Sequence, residues 1–141
     1  MQEYIEFVQS HPLLIIGFLV VLGLIFWTEF SRFTRKYTQV NAAQAVQVLN
    51  KDNVIVLDVR EQRELQGGVI KGAKTIPVSE VSTRLVELQK HKNHPFLVYC
   101  GSGNRSGHTC NTLTKNGFDD VYNLTGGLMA WKSENLPLNK K

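Results

Sequence analysis

The chain has 141 residues, 43% of them hydrophobic, which suffices for one compact domain with a packed core and an additional segment. Its net charge is only +4, and its basic residues are scattered without interleaved aromatic residues, which argues against a nucleic-acid partner. The two cysteines are too few for a disulfide framework, and no Cys and His spacing is typical of a zinc site.

An uncharged stretch, rich in Leu, Ile, Val and Phe, occupies residues 12–28. It has no polar face at helical spacing, unlike the core helix of a soluble domain. Since a helix needs roughly 20 mainly apolar residues to cross a bilayer, the stretch predicts a transmembrane helix in contact with lipid. We do not expect a cleaved signal peptide, because residues 1–11 carry Glu3 and Glu6 and no Lys or Arg.

The charges that flank this stretch predict its orientation. Arg32, Arg35 and Lys36 follow it closely, whereas the charged groups before it are two acidic side chains and the α-amino group. Because positively charged flanks stay on the cytoplasmic side, we expect the N-terminus outside and the C-terminal domain in the cytoplasm. After the helix, the expected organisation is a basic linker over residues 29–38, a folded domain over residues 39–137 and a tail over residues 138–141.

Helical and extended patterns alternate through the predicted domain. The expected helices cover residues 41–50, 79–90 and 105–116, with a final helical turn that ends at Trp131. The expected strands cover residues 54–59, a short segment around Thr75 and Ile76, Phe96–Tyr99 and Val121–Leu124. This alternation predicts an α/β fold with a parallel sheet flanked by helices. Ligands of such sheets bind beyond the carboxyl ends of the strands, where Cys100 lies.

Cys100 stands where a strand ends and a helix begins. The residues that follow are small or flexible, so several backbone N–H groups can turn toward one point. The following helix adds the positive end of its dipole. A thiolate, or an anion bound to it, is stabilised in such a loop, which makes Cys100 the candidate nucleophile.

The phosphate loop of tyrosine phosphatases also joins a Cys to an Arg through a backbone cradle. That loop has five residues between the two, whereas four residues separate Cys100 from Arg105. The shorter cradle suits a single sulfur atom better than a tetrahedral phosphate. Tyr99 stands where those phosphatases carry His, and Asp119 and Asp120 are the candidates left open for a general acid.

Five groups of residues, in order, resemble the motifs of single-domain rhodaneses, a sulfurtransferase family. The matching segments are Asp58-Val59-Arg60 with Glu64, residues 68–73, Ile76-Pro77, residues 100–106 (C-x-x-G-x-R-S) and residues 126–131 (G-G-x-x-A-W). Val69 replaces the usual His of the second motif, and Leu65 stands where an aromatic residue is common. Neither lies on the nucleophile loop, so we expect altered packing and an altered substrate rim, with activity retained.

The resemblance implies a rhodanese-like fold and a two-step sulfur transfer. Cys100 would take sulfur from a donor such as thiosulfate, become a persulfide, and yield the sulfur to a thiol or cyanide-like acceptor. The residues expected to bind the transferred sulfur are Gly101, Ser102, Gly103, Asn104 and Arg105. Asp58, Arg60 and Ser106 would support the loop from behind. The chemistry needs no metal and no organic cofactor, and the resemblance places the chain in a bacterial inner membrane.

A second hypothesis comes from a different class of function, since a fold alone does not define an activity. The domain would be an interaction module that docks to a membrane protein complex without essential catalysis. Three further side chains receive structural interpretations: Cys110 as a buried core thiol, His108 as a surface residue and Trp131 as a core side chain.

Overall fold

The computed structural model describes the backbone of residues 1–141 and all side chains except those of residues 5, 32 and 33. Arg32, one of the basic residues used to predict the orientation, thus has its side chain outside the described part. The chain divides into two compact units, Met1–Arg35 and Lys36–Lys141.

The first unit consists of two helices, α1 (Gln2–Ser10) and α2 (Pro12–Phe33). Within α2, the stretch Pro12–Ser31 is exposed along its length and is long and apolar enough to cross a membrane. The helix continues beyond the predicted end at residue 28, so Ser31, expected in the linker, is helical. The Ser31 hydroxyl donates to the Trp27 carbonyl at 2.7 Å. This hydrogen bond satisfies the polar side chain within the last turns of the helix.

The second unit is built on a five-stranded sheet whose strands are all parallel, which confirms the predicted fold class. The strands are β1 (Thr38–Val40), β2 (Ile55–Asp58), β3 (Lys74–Thr75), β4 (Phe96–Tyr99) and β5 (Val121–Leu124). Their order across the sheet is β1-β5-β4-β2-β3. Strand β1 was not predicted, because its three residues are mostly polar and exposed at the sheet edge and carry no apolar run.

Three α-helices and a 3₁₀ helix connect the strands, and a fourth α-helix follows the last strand. They are α3 (Ala42–Leu49), the 3₁₀ helix (Gln62–Gly67), α4 (Leu85–Gln89), α5 (Asn104–Lys115) and α6 (Gly127–Ser133). Asn41 caps α3 as predicted, through a reciprocal capping box with Gln44. The predicted helix over residues 79–90 is largely wrong, because residues 79–84 form turns. The Thr83 hydroxyl there bonds to the Glu80 carbonyl at 2.9 Å, and such hydroxyls compete with helical backbone bonding.

The core lies on both faces of the sheet. All four residues of β4 are buried, and they alternate between two clusters. Phe96 and Val98 belong to the cluster that includes Leu113 of α5, whereas Leu97 and Tyr99 belong to the cluster that includes Trp131. Burial on both faces explains why β4 is apolar without alternation, and it places the end of this strand in the middle of the domain.

Candidate active site

Cys100 lies at the carboxyl edge of the sheet, between β4 and α5. Strands β2 and β4 end level with one another, since Asp58 pairs with Tyr99 and the Val59 N–H donates to the Tyr99 carbonyl at 3.1 Å. The loop that starts at Cys100 is therefore flanked by the segment that follows β2. The Cys100 side chain is fully buried.

Hydrogen bonds converge on the Cys100 sulfur. The Gly103 N–H donates to Sγ at 3.1 Å, and the Ser106 hydroxyl donates at 3.4 Å. Burial raises the pKa of the thiol, but the bonds from Ser106 and from the backbone N–H groups of Ser106, Gly103 and Ser102 outweigh it. The pKa of Cys100 is therefore held below its ordinary value, which favours the nucleophilic thiolate.

The start of α6 holds the other side of the loop. The Leu128 N–H donates to the Cys100 carbonyl at 2.8 Å, and the Met129 N–H donates to the Gly101 carbonyl at 3.1 Å. A Cβ atom at Gly127 would lie 2.5 Å from the Cys100 carbonyl oxygen, so only glycine permits this approach. The sequence showed Gly126 and Gly127 as part of a motif but gave them no role. Gly127 lets α6 approach and fix the loop carbonyls, and a side chain at Gly126 would collide with Ala130, since a Cβ atom there would lie 2.7 Å from the Ala130 Cβ.

Arg105 is engaged in a bidentate ion pair with Glu64. Its two terminal nitrogens donate to the two carboxylate oxygens, each at 2.7 Å. The hydrogen bonds from Arg105 lower the pKa of Glu64 to about 2. Burial opposes this shift, and the hydrogen bond from the Glu61 N–H adds to it. The guanidinium lies beside the loop, because a Cβ atom at Gly101 would be 3.5 Å from Arg105 Nη2. Sequence reasoning predicted the charge of Arg105 there, but it missed that Glu64 neutralises this charge.

Asp58 and Arg60 form a second, fully buried ion pair, with 2.6 Å between Asp58 Oδ2 and Arg60 Nη2. Arg60 also donates to the carbonyls of Glu64 at 3.0 Å and Gly68 at 2.8 Å. These bonds hold the middle and the C-terminal end of the 3₁₀ helix that carries Glu64. The pair thus acts on the loop through the backbone around Glu64, and the described hydrogen bonds include none from either residue to Cys100.

The other residues singled out in the sequence are either exposed at the edge of the loop or buried in the core. Ser102, Asn104 and His108 are exposed, and Ser106 and Cys110 are buried. Burial raises the pKa of Cys110, which makes its thiol unreactive at neutral pH. Among the residues whose side chains are described, no cluster of three His, Cys, Asp or Glu is arranged to hold a metal ion.

The two aspartates left open as a general acid lie away from the loop. The Asp120 carbonyl accepts from the Phe96 N–H at 2.8 Å, at the point where β4 begins. Asp119 and Asp120 therefore precede β5 at the amino edge of the sheet, whereas Cys100 follows β4 at the carboxyl edge. They are on the wrong side of the sheet to protonate a leaving group near Cys100, which removes this support for a phosphatase.

Comparison with known proteins points to one family. The family model described as "Rhodanese-like domain" matches residues 41–134. Uncharacterized protein YibN of Escherichia coli (strain K12) is 37% identical over 98% of this chain and 97% of its own length. Thiosulfate sulfurtransferase GlpE of Pseudoalteromonas translucida is 28% identical over 69% of this chain and 90% of its own. The crystal structure of a rhodanese-related protein from Thermoplasma volcanium superposes with a TM-score of 0.67 at 31% identity, covering 74% of this chain and 100% of that one.

Proposed function

The chain belongs to the rhodanese-like family, and from that premise we propose that it is a membrane-anchored sulfurtransferase that works through a persulfide on Cys100. It moves a sulfane sulfur, such as the outer sulfur of thiosulfate, to a thiol or cyanide-like acceptor. The single observation that carries the proposal is the convergence of the Ser106 hydroxyl and the Gly103 N–H on a buried Cys100 thiol whose pKa is lowered.

In the first step the Cys100 thiolate attacks the outer sulfur of the donor. A bond forms between Cys100 Sγ and that sulfur, the bond between the two donor sulfurs breaks, and the electron pair leaves with the rest of the donor. With thiosulfate the leaving group is sulfite. Because the thiolate is already favoured by its hydrogen bonds, the step requires no general base.

In the second step the acceptor attacks the outer sulfur of the Cys100 persulfide. The persulfide bond breaks, and its electron pair returns to Cys100 as thiolate, which restores the starting state. Backbone N–H groups of residues 101–105 would stabilise the outer sulfur, whose negative charge rises and falls during the cycle. The loop contacts with α6 keep these groups oriented without reorganisation.

The anchor in this proposal is helix α2. Its stretch Pro12–Ser31 has the length and composition of a membrane span, and Arg35 and Lys36 follow it on the side of the domain. The proposed topology has the N-terminus outside the bacterial inner membrane and the rhodanese-like domain in the cytoplasm. In spheroplasts, external protease should leave the domain intact, and alkaline carbonate should not extract it; release by carbonate would refute the anchor.

Intact-mass spectrometry of the full-length chain in detergent tests the sulfur transfer. After incubation with thiosulfate, the wild type should gain about 32 Da, the mass of one sulfur atom, and lose it to a thiol acceptor. Cys100→Ser should gain nothing, whereas the matched control Cys110→Ser should behave like the wild type because Cys110 is buried and its pKa is raised.

A negative result is equally informative. If the folded wild type gains no sulfur from thiosulfate or from a persulfide donor, the catalytic proposal fails. The alternative, an interaction module that docks to a membrane protein complex, would then account for the chain.

A further inference from the structure

We propose that Glu64 determines the donor specificity of the Cys100 loop. By neutralising Arg105 it makes the loop favour a sulfur carried on an organic thiol, an alkyl persulfide, over a doubly charged inorganic donor. This inference rests on the proposed sulfur transfer and refines it, because it names the chemical class of the donor.

The pair between Glu64 and Arg105 is rigidly built. Besides its two bonds to Arg105, the Glu64 carboxylate accepts a hydrogen bond from the Glu61 N–H at 2.9 Å. The backbone of Glu64 is held in turn by Arg60, which donates to its carbonyl at 3.0 Å. The side chains of Arg105 and Glu64 are only 38% and 32% exposed, so solvent screens their pairing less than that of a surface pair. Arg105 is therefore not available as a free cation for an incoming anion.

The other charged groups around the loop nearly cancel one another. The segments that form the site, residues 58–68, 100–106 and 126–131, contain three acidic and three basic side chains. These are Asp58, Glu61 and Glu64, and Arg60, Arg63 and Arg105. Lys132 directly follows the last segment and lies beside Gly67, where a Cβ atom would be 3.3 Å from its Nζ. With Lys132 the charges sum to +1, so ionisation of Cys100 leaves the site neutral and a bound dianion would make it negative.

The rim of the loop is neutral and partly apolar. Ser102 and Asn104 are exposed and uncharged. Met129, whose N–H donates to the Gly101 carbonyl, is 70% exposed and is one of only two large hydrophobic side chains of the described Lys36–Lys141 unit exposed to this degree. An uncharged, partly apolar rim suits the carbon chain of an organic thiol better than a small inorganic dianion.

The charge balance of the first step separates the two donor classes. With thiosulfate, a thiolate of charge −1 meets a donor of charge −2, and the products are a Cys100 persulfide anion and the sulfite dianion. With a protonated alkyl persulfide the thiolate meets a neutral outer sulfur, and the products are a neutral Cys100 persulfide and one alkyl thiolate. The thiosulfate reaction thus places three negative charges in the site, where Arg105 is already paired. The persulfide reaction places one negative charge there. Like charges at such short range are costly where water is excluded.

The test measures the rate of persulfide formation on the full-length chain in detergent by quenched intact-mass spectrometry. The two donors are thiosulfate and the persulfide of N-acetylcysteine methyl ester, which mimics a cysteine within a peptide and carries no other charge. A hydropersulfide is a stronger acid than its thiol, so rates are measured over a range of pH. They are expressed per Cys100 thiolate and per protonated persulfide, so that the pKa of neither group contributes. We expect the wild type to react at least about tenfold faster with the alkyl persulfide.

In Glu64→Gln the charge of Arg105 is no longer neutralised. The reaction with thiosulfate should accelerate about tenfold, whereas the reaction with the alkyl persulfide should stay within about threefold of the wild-type rate. Asp52→Asn is the matched control, because it makes the same charge change on an exposed residue before β2, at the opposite edge of the sheet. It should change neither rate. A faster thiosulfate reaction in the wild type, or equal acceleration of both donors by Glu64→Gln, would overturn the proposal.

Salt dependence of the wild type provides a test that does not rely on any variant. If Arg105 attracted thiosulfate as a free cation, the rate would fall steeply between about 50 mM and 500 mM salt, as the Debye length shortens from about 14 Å to about 4 Å. With a neutralised Arg105 the rate stays level or rises; a steep fall would contradict the proposal. Absence of any sulfur adduct with both donors is a distinct result, which overturns sulfur transfer itself.

A further donor distinguishes the sources of an alkyl persulfide. A short uncharged peptide with one persulfidated cysteine is compared with the small ester. A faster reaction of the peptide indicates a protein cysteine as donor, and equal rates indicate a small thiol. Either result supports the preference for organic persulfides provided that both donors outpace thiosulfate.

Discussion

Replacement of Gly127 by Ala should damage both the stability of the domain and the chemistry of Cys100. Gly127 has a φ of +56°, and a Cβ atom there would lie 2.5 Å from the Cys100 carbonyl oxygen and 2.7 Å from the Gly101 carbonyl oxygen. An ordinary contact begins near 3.4 Å, so relief of the first clash alone requires a shift of about 0.9 Å (3.4 − 2.5). The atoms that must shift belong to the backbone of the nucleophile loop.

The expected magnitude has two components. A left-handed conformation costs a non-glycine residue about 1–2 kcal/mol. Displacement of the loop weakens the bonds from Leu128 to Cys100 and from Met129 to Gly101, each worth about 1 kcal/mol. We expect Gly127→Ala to lower the free energy of unfolding by about 2–4 kcal/mol, and a misplacement of about 1 Å to slow persulfide formation by about 100-fold.

Gly72 offers a matched control for this experiment. Its φ is +79°, and a Cβ atom there would have no neighbour within 4 Å. Gly72→Ala should therefore show the conformational cost of about 1–2 kcal/mol without the clash and without a loss of rate. Urea denaturation and intact-mass kinetics measure the two quantities. If Gly127→Ala is no more impaired than Gly72→Ala in either assay, the inference that α6 fixes the loop through Gly127 is wrong.

Two further predictions concern ionisation. Ser106→Ala should raise the pKa of Cys100, because it removes a hydrogen bond that favours the thiolate. The pH dependence of iodoacetamide alkylation measures this shift. The control Ser102→Ala alters an exposed side chain and should leave the pKa of Cys100 unchanged. The pKa of Glu64 is lowered from 4.5 to about 2 by Arg105, so the ion pair contributes stability above pH 4.5 that is lost as the pH falls toward 2. The difference in urea midpoint between the wild type and Glu64→Gln should shrink over this range, and a difference that persists at pH 2 would contradict the assignment.

The elements that the sequence predicted well are those whose pattern is local. Phe96–Tyr99 and Val121–Leu124 are apolar because they are covered on both faces, and their bounds agree with the predicted strands. Strand β1 escaped prediction because Thr38 and Gln39 owe their extended conformation to pairing with β5, more than 80 residues away in the chain. Residues 79–84 were predicted as helical because their apolar residues are spaced as in a helix. They form turns instead, where a side-chain hydroxyl competes with the helical backbone hydrogen bonds.

In the site, too, local features were predictable from the sequence and long-range contacts were not. The position of Cys100 at a strand end, and the donor-rich loop behind it, were evident from consecutive residues. The partner of Arg105 was not, because Glu64 lies 41 residues earlier in the sequence and meets it only when the sheet forms. Nor could the sequence show that Gly127 must be glycine for contact with Cys100, since that requirement arises from a carbonyl 27 residues away. Motif resemblance located both residues and left their physical roles unexplained.

The strand order explains why five separated motifs form a single site. Four of them begin at or just beyond a strand end: Asp58 closes β2, Ile76 follows β3, Cys100 follows β4, and Gly126 lies two residues beyond β5. In a parallel sheet all these ends share one edge, and the order β5-β4-β2 places the loop of Cys100 between its two supports. From the β5 side α6 fixes the backbone of the loop, and from the β2 side Glu64 fixes its only basic side chain, Arg105. Backbone geometry and charge are thus controlled by different neighbours. Gly127→Ala should therefore slow all donors alike, whereas Glu64→Gln should narrow the difference in rate between them.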